Sequence, residues 1–363
     1  MIAPELTIVL PTFNEAGNIP VIVKKIAIAM GTIAHEIIVV DDDSPDGTSE
    51  VTRALAANNP HVRCIRRIGR RGLSGACVEG MMAASAPVVA IMDADMQHDE
   101  TRLPIMMAEI KNGADLVIGS RYAAGGNHVS GFQQKSRAKG SELATKMANF
   151  ITGNHTSDPM SGFFMMTRHA ADKAATSVSH DGFKILFDIV SRYGDDLKIA
   201  EVPFRFKERV EGESKLGALV TIQFLGLLVS RLTGGIVPMR FLLYALVGFT
   251  GLGVHMATLF SLTNGFGINF AAAQLVAAFF AMTSNFLLNN QITYAHRKLK
   301  GERFWFGLLT FYAVCSIGAL ANVSIAVNIL AFNQSTAIAG FVGAVMNAVF
   351  NYAVTKLVTW RDV

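Results

Sequence analysis

Charge is scarce in the second half of this chain. Charged residues make up 17% of its 363 residues and hydrophobic ones 51%, too apolar for an ordinary water-soluble protein. Charges are spread through the chain to about residue 215, then nearly vanish from about Val237 onward except in one short cluster. Cysteine is scarce as well. Cys64, Cys77 and Cys315 form no CxxC pair and no metal-binding spacing, which argues against a disulfide scaffold and fits free thiols in a reducing compartment. The net charge of +4 comes with no block of like charges. No zinc-finger or RNA-binding signature is present either, so nucleic acid is not an expected partner. The opening Met-Ile-Ala-Pro-Glu-Leu-Thr lacks a basic region followed by a long apolar run. It does not read as a signal peptide, and the front half is expected in the cytoplasm.

What the front half does contain is short apolar runs alternating with helical patterns. Leu6–Leu10, His35–Val40, Val62–Ile65, Pro87–Met92 and Leu116–Gly119 read as buried strands. Asn18–Met30 and Thr48–Asn58 read as helices, and Ser74 is expected to cap another. Strands alternating with helices of this length predict an α/β fold with a mostly parallel sheet covered on both faces. Ligands of such sheets sit at the carboxyl ends of the strands.

The back half holds four apolar stretches, Val237–Leu262, Phe270–Asn290, Phe304–Leu330 and Ile338–Val358, each long enough to cross a bilayer. Two connecting loops are uncharged, whereas 296–303 is rich in Arg and Lys. Arg231, Arg240, Lys356 and Arg361 fall on the same side. The positive-inside rule therefore predicts cytoplasmic termini and a cytoplasmic front domain. Leu216–Leu232 is shorter and closes on Arg231, which predicts an interfacial helix docking the front domain on the bilayer. Asn285 and Asn289 are spaced i, i+4, as are Asn347 and Asn351. Such amides pack helices together or line a polar path.

The acidic clusters fall at the predicted strand ends. Asp93-Ala94-Asp95-Met96-Gln97 follows one buried run. On an extended chain Asp93, Asp95 and Gln97 would share one face, and two carboxylates with an amide oxygen suit Mg²⁺ or Mn²⁺. Pro11-Thr12-Phe13-Asn14-Glu15 and Asp41-Asp42-Asp43 follow two other strands. Phe13 could lie against a nucleobase, and Glu15 with the aspartates could accept from base N–H groups and ribose hydroxyls. Arg121, Arg137 and Arg209 are candidate phosphate contacts, with Ser214 and Lys215 following Arg209. Arg70 and Arg71 are expected to be solvated.

These motifs together resemble the inverting family-2 glycosyltransferases with a GT-A fold. More narrowly, the chain resembles dolichyl-phosphate mannose synthases and their prokaryotic polyprenyl-phosphate relatives. The resemblance rests on Pro-Thr-Phe-Asn-Glu (11–15), Val-Val-Asp-Asp-Asp-Ser-Pro-Asp-Gly-Thr (39–48), Met-Asp-Ala-Asp-Met-Gln-His (92–98), Gly-Ser-Arg-Tyr (119–122), Asp-Pro-Met-Ser-Gly-Phe-Phe (158–164), Gly-Phe-Lys-Ile-Leu (182–186) and Gly-Glu-Ser-Lys (212–215). Phe13 stands where Tyr is common, and Asp99-Glu100 replaces the usual Pro after the His. The back half resembles the GtrA-like four-helix family, through Arg240-Phe241, Val247-Gly248, Asn285-Phe286-Leu287-Leu288-Asn289 and Asn351-Tyr352. That family is also seen alone, as candidate lipid-sugar flippase subunits.

The resemblance implies a Rossmann-like GT-A catalytic domain over 1–215, an interfacial region over 216–234 and a four-helix transmembrane domain over 235–363. It implies transfer of mannose from GDP-mannose to a polyprenyl phosphate, with inversion, in a bacterial or archaeal membrane. Asp93, Asp95 and Gln97 would hold the metal. Pro11, Phe13, Glu15, Val40 and Asp42 would hold the nucleoside, with Asp93 and Ala94 beside the nucleotide sugar. Arg209 and Lys215 would meet the donor phosphates, and Arg121 and Arg137 the acceptor phosphate. Asp158 is the fallback general base. UDP-glucose as donor to undecaprenyl phosphate is the alternative. A processive polysaccharide synthase lacks support because no Gln-x-x-Arg-Trp occurs. A non-catalytic lipid transporter fits poorly with the intact Asp-x-Asp-x-Gln.

Overall fold

The computed structural model describes residues 3–123, 148–149, 152–178, 184–205, 237, 239–333 and 336–361. Arg137, Arg209, Ser214, Lys215 and the docking segment 216–234 lie outside the described residues. The chain divides into two compact units, Met1–Ser214 and Lys215–Val363.

Among the described residues the first unit has seven strands: β1 (Leu6–Thr12), β2 (His35–Asp41), β3 (Val62–Arg66), β4 (Val88–Ile91), β5 (Leu116–Ser120), β6 (Phe164–Thr167) and β7 (Ile199–Pro203). Its described helices are α1 (Ile19–Met30), α2 (Thr48–Asn58), α3 (Leu73–Ala83), α4 (Leu103–Lys111), α5 (Arg168–Ala175) and α6 (Ile185–Tyr193). The sheet order is β3-β2-β1-β4-β6-β5-β7. Side chains alternate between its faces. Leu6, Ile8 and Leu10 pack with α1 and α4 on one side, while Val9, Ile38 and Val40 pack with α3, α5 and α6 on the other. Burial on both faces explains why these strands read as unbroken apolar runs.

Two strands were absent from the sequence expectation. β6 is only four residues, Phe-Met-Met-Thr, too short to show a period. β7 mixes Glu and Pro into an edge position. β6 matters most, because it runs antiparallel to both β4 and β5. Its entry, residues 158–163, therefore arrives at the carboxyl ends of those two strands. Ser74 is not a cap: α3 begins at Leu73, Gly72 is its N-cap, and the Ser74 hydroxyl is buried inside the helix.

The second unit contains α7 (Met239–Phe260), α8 (Phe270–Gln291), α9 (Glu302–Asn333) and α10 (Thr336–Val358). Among the described residues, three segments are long and apolar enough to cross a membrane: Arg240–Gly265, Phe270–Gln291 and Glu302–Leu320. Asn290 closes one end of this unit. Its Oδ1 accepts from the Leu299 N–H at 2.8 Å and from Trp360 Nε1 at 3.2 Å. Trp360 stacks on Tyr294 with centroids 4.2 Å apart. The basic loop 296–303 lies at this end, between α8 and α9.

The repeated asparagines do pack helices. A Cβ at Gly251 of α7 would lie 2.1 Å from Asn285 Oδ1 of α8, and one at Gly318 of α9 would lie 2.2 Å from Asn351 Oδ1 of α10. Small residues that admit a neighbour's amide are a typical membrane-helix contact. Asn351 also donates to Asn347 Oδ1 at 3.1 Å. The same three amides, with His255 and Ser316, line part of a mainly apolar cavity of about 710 Å³.

Glu36 fastens the opposite end of the first unit's sheet from the acidic clusters. It accepts from the Thr7 hydroxyl and from both the N–H and hydroxyl of Ser85, each at 2.7 Å. Arg63 Nη1 reaches it at 3.2 Å. Burial by itself would raise this carboxyl, but the Ser85, Thr7 and Arg63 bonds outweigh it and hold the pKa below its ordinary 4.5. A depressed carboxyl stabilises the fold above its unfolded pKa, and that stability is lost as pH falls through the folded value. Glu36→Gln should therefore flatten the loss of thermal stability below pH 4.5. At neutral pH the same variant should be less stable by about 1–3 kcal/mol and melt at a lower temperature. Melting curves of both proteins from neutral to acid pH check both effects.

Candidate active site

Chain reversals gather the predicted residues at the carboxyl edge of the sheet. Asn14, Asp43 and Met96 have φ of 61°, 57° and 67°, just beyond β1, β2 and β4. Left-handed backbone at non-glycine residues is disfavoured and clusters at functional sites. The first two turns are tied together. The N–H groups of Asn14, Glu15 and Ala16 donate to Ser44 Oγ, Thr48 Oγ1 and Asp46 Oδ2 at 2.9–3.0 Å. This fixes the Phe13 backbone, and Glu15 in turn accepts from Asn18 at 2.7 Å.

The predicted nucleoside residues divide into two kinds. Phe13 and Glu15 are partly accessible, whereas Pro11 and Val40 are buried. Pro11 and Val40 are paired in register between β1 and β2. The Val40 carbonyl accepts from the Thr12 hydroxyl at 3.2 Å, and its side chain belongs to the core. Asp42 is also buried. Its carboxylate accepts from Arg67 Nη1 and, at 2.6 Å, from the Gly72 N–H. Burial raises its pKa against the lowering effect of those donors. Asp42 therefore anchors the 67–72 loop. That loop carries Arg71, whose guanidinium lies 4.5 Å from the Phe13 ring centroid. Arg71 is a cation–π partner of Phe13, and Arg70 pairs with Glu79 at 2.7 Å. Both arginines are exposed, as expected, and each also has a partner at the surface.

The acidic motif after β4 is a turn and not an extended segment. The strand ends at Ile91, and the left-handed Met96 folds the chain back, so that the Gln97 N–H donates to Asp95 Oδ1 at 3.2 Å. Alternation along a strand is thus the wrong reason for grouping Asp93, Asp95 and Gln97, which stand instead on one tight turn. Asp93 is 38% exposed, while Asp95 is 8% exposed and Ala94 2%. On its other side Asp93 meets Gly162, where a Cβ would fall 2.6 Å from Asp93 Oδ2. The donor set of two carboxylates and an amide fits a hard divalent cation. Among the described residues no three or more His, Cys, Asp or Glu side chains come together to hold a metal ion. A cation here would share its shell with oxygens from outside the protein.

Arg121 follows β5, and Asp158 enters from the loop before β6. Arg121 Nε and Nη2 each donate to Asp158 at 2.8 Å, and the Arg121 N–H adds a bond of 3.2 Å. Asp158 has no solvent exposure. Both of its oxygens serve Arg121, so it is placed to orient the guanidinium and is a poor candidate for a general base. A second carboxylate holds this loop. Glu201 on β7 accepts from Thr156 Oγ1, from the Ser157 N–H at 2.5 Å and from Ser157 Oγ at 2.7 Å. Ser157 Oγ is also 2.7 Å from Ser120 Oγ.

Three further residues join the site that sequence reasoning left without a role. Arg71 covers Phe13. Lys184, the N-cap of α6, has its pKa lowered by burial and by the Arg121 charge, against the pull of Asp93 and Asp158. His98 is buried beside Asp93, and burial lowers its pKa. The available signal was position: His98 ends the acidic motif, and Lys184 lies in Gly-Phe-Lys-Ile-Leu.

Removing the Asp158 charge leaves a largely buried guanidinium without its partner, and breaking a buried pair from one side costs roughly 3 kcal/mol. Asp158→Asn should therefore lower the melting temperature of the full chain clearly. Lys111→Ala, which breaks the exposed Lys111–Glu5 pair, should cost at most about 1 kcal/mol. Equal shifts in the two melts would contradict this assignment.

Comparison with known proteins places these features. Residues 7–174 match the family described as Glycosyl transferase family 2, and residues 243–360 match the GtrA/DPMS transmembrane domain. A dolichol-phosphate mannosyltransferase from Pyrococcus furiosus is 32% identical over 357 residues, covering 98% of this chain and 99% of that protein. One from Mycosarcoma maydis is 36% identical over 253 residues, covering 67% of this chain and 85% of the relative. Among solved structures, glucosyl-3-phosphoglycerate synthase from Mycobacterium tuberculosis, in complex with Mn²⁺, UDP and glucosyl-3-phosphoglycerate, aligns with a TM-score of 0.49 and 21% identity. That alignment covers 63% of this chain and 80% of that one. With its two matched domains and its full-length relative, the chain belongs to the dolichol-phosphate mannosyltransferase family and is a membrane glycosyltransferase that transfers a sugar to a polyprenyl phosphate.

Proposed function

We propose that this enzyme transfers mannose from GDP-mannose to a polyprenyl phosphate with inversion at the anomeric carbon. The observation that carries the reading is one juxtaposition. The Asp93–Gln97 turn and the Arg121–Asp158 pair are joined by one loop, which meets Arg121 through Asp158 and Asp93 through Gly162. One group suits the donor's diphosphate and the other an acceptor's phosphate. The mannosyl identity is carried over from the relatives' names.

Asp93, Asp95 and Gln97 would hold Mg²⁺ or Mn²⁺. Such a cation, when bound, offsets the charge of the departing diphosphate. Phe13, with Arg71 across its ring, gives the nucleobase a platform, and Glu15 offers a carboxylate to base N–H or ribose hydroxyl groups. Pro11, Val40 and Ala94 shape the floor through their backbone, and Asp42 holds the Arg71 loop. Arg121 presents a guanidinium pre-oriented by Asp158, so little side-chain entropy remains to be lost when it meets a phosphate. Arg137 would share that phosphate, and Arg209 and Lys215 would serve the donor's. The acceptor phosphate is already ionised near neutral pH, so it attacks without a protein base. The work left to the protein is alignment and charge stabilisation.

The four described helices of the second unit suit the acceptor's hydrocarbon tail. We read all four as spans, with the basic loop and both termini on the cytoplasmic side. The 23 residues of α10 give about 34 Å of helix at about 1.5 Å per residue, enough for a bilayer core.

A panel of radiolabelled nucleotide sugars, supplied to membranes with added polyprenyl phosphate, tests the donor. Label from GDP-mannose should enter a mild-acid-labile lipid. Equal or better transfer from UDP-glucose would replace mannose in this reading. Asp95→Asn should lower turnover by about a hundredfold or more while leaving the melting temperature near wild type. Persistence of transfer in that variant, or in excess EDTA, would remove the metal from the account.

A further inference from the structure

His98 lies next to the proposed metal turn and has no part in the reading above. Its ring is 4% exposed, stacked on Phe163 at 5.4 Å and edge-on to Phe204 at 5.6 Å. These contacts fix the plane of the imidazole. The Asp93 N–H donates to His98 Nδ1 at 3.2 Å. In a neutral ring the proton then sits on Nε2, and that nitrogen lies 4.0 Å from Asp93 Oδ2. One rigid ring thus meets the same aspartate twice, at its backbone and beside its carboxylate. Across the carboxylate stands Gly162, whose Cβ, if present, would fall 2.6 Å from Asp93 Oδ2 and 3.3 Å from His98 Cε1. The Asp93 side chain is therefore confined between an aromatic edge and a bare stretch of backbone.

We propose that His98 is a positioning residue that orients the Asp93 carboxylate for a divalent cation. The inference rests on the reading of Asp93 as a metal ligand. Ligand orientation is worth testing apart from turnover, because groups that orient metal ligands typically change metal affinity by about 10–100-fold. The geometry also separates the two contacts. Phenylalanine at 98 keeps the stacked ring and loses both nitrogens. Asparagine keeps an acceptor near the Nδ1 position and loses the rest of the ring.

Mn²⁺ binding to the full chain in detergent, followed by electron paramagnetic resonance, provides the readout. His98→Phe should weaken Mn²⁺ binding by about tenfold or more, with the melting temperature and metal-free GDP affinity held near wild type. His98→Asn should recover part of the lost affinity. Mn²⁺ affinity within about twofold of wild type in His98→Phe would overturn the proposal. So would equal losses in both variants that track their melting temperatures, because that pattern marks a packing role only. A wild-type protein that binds no Mn²⁺ would overturn both this inference and the metal reading. Mn²⁺ binding without transfer from any donor would overturn the reaction alone and leave the variant comparison decisive for His98.

Discussion

A carboxylate sealed from water must receive its hydrogen bonds from the protein, and Asp158 receives them from Arg121. Much of the site's architecture depends on that pair. It joins the end of β5 to the loop entering β6, and the loop reaches that place only because β6 is antiparallel. Glu201 supports the loop from β7 through Thr156 and Ser157. Further along the loop, Gly162 comes against Asp93. An ion pair this buried is a costly way to stabilise a fold. Its value lies in holding a guanidinium at a fixed place and angle beside the acidic turn.

A second constraint is set by the substrate class. A polyprenyl phosphate has a head that must be handled in water and a tail that stays in hydrocarbon. The sequence answers with two units of opposite composition on one chain. The first presents carboxylates and arginines on a rigid sheet edge. The second presents long apolar helices in which the Asn285 and Asn351 amides press against glycine, at Gly251 and Gly318. The cost of polar groups in a bilayer explains why those amides sit at helix contacts.

Much of this was legible in the sequence because burial writes itself as pattern. Strands β1, β2, β4 and β5 are covered on both faces and appear as apolar runs, and the back-half helices appear as long uncharged stretches. β6 was not legible, since four residues carry no period and Met is not a strand signal. Losing β6 also hid why Asp158 belongs beside Arg121. The acidic motif stands at a strand end as expected, but its local geometry was misjudged. The left-handed Met96 turn has no glycine to announce it. Arg71 looked like an ordinary surface residue because its partner, Phe13, is far away in sequence. Val40 and Asp42 show the reverse case. The residues stand at the right strand end, yet the core packing of one and the Arg67–Gly72 bonds of the other are visible only in three dimensions.

The central claim is that an acceptor phosphate, aligned by Arg121, attacks a nucleotide-held sugar in one direct displacement. The configuration of the product's anomeric carbon tests this most directly. With an α-linked donor, NMR of the purified lipid product should show a β-linked sugar. An α-linked product would require a covalent intermediate or front-face attack, and it would contradict the account.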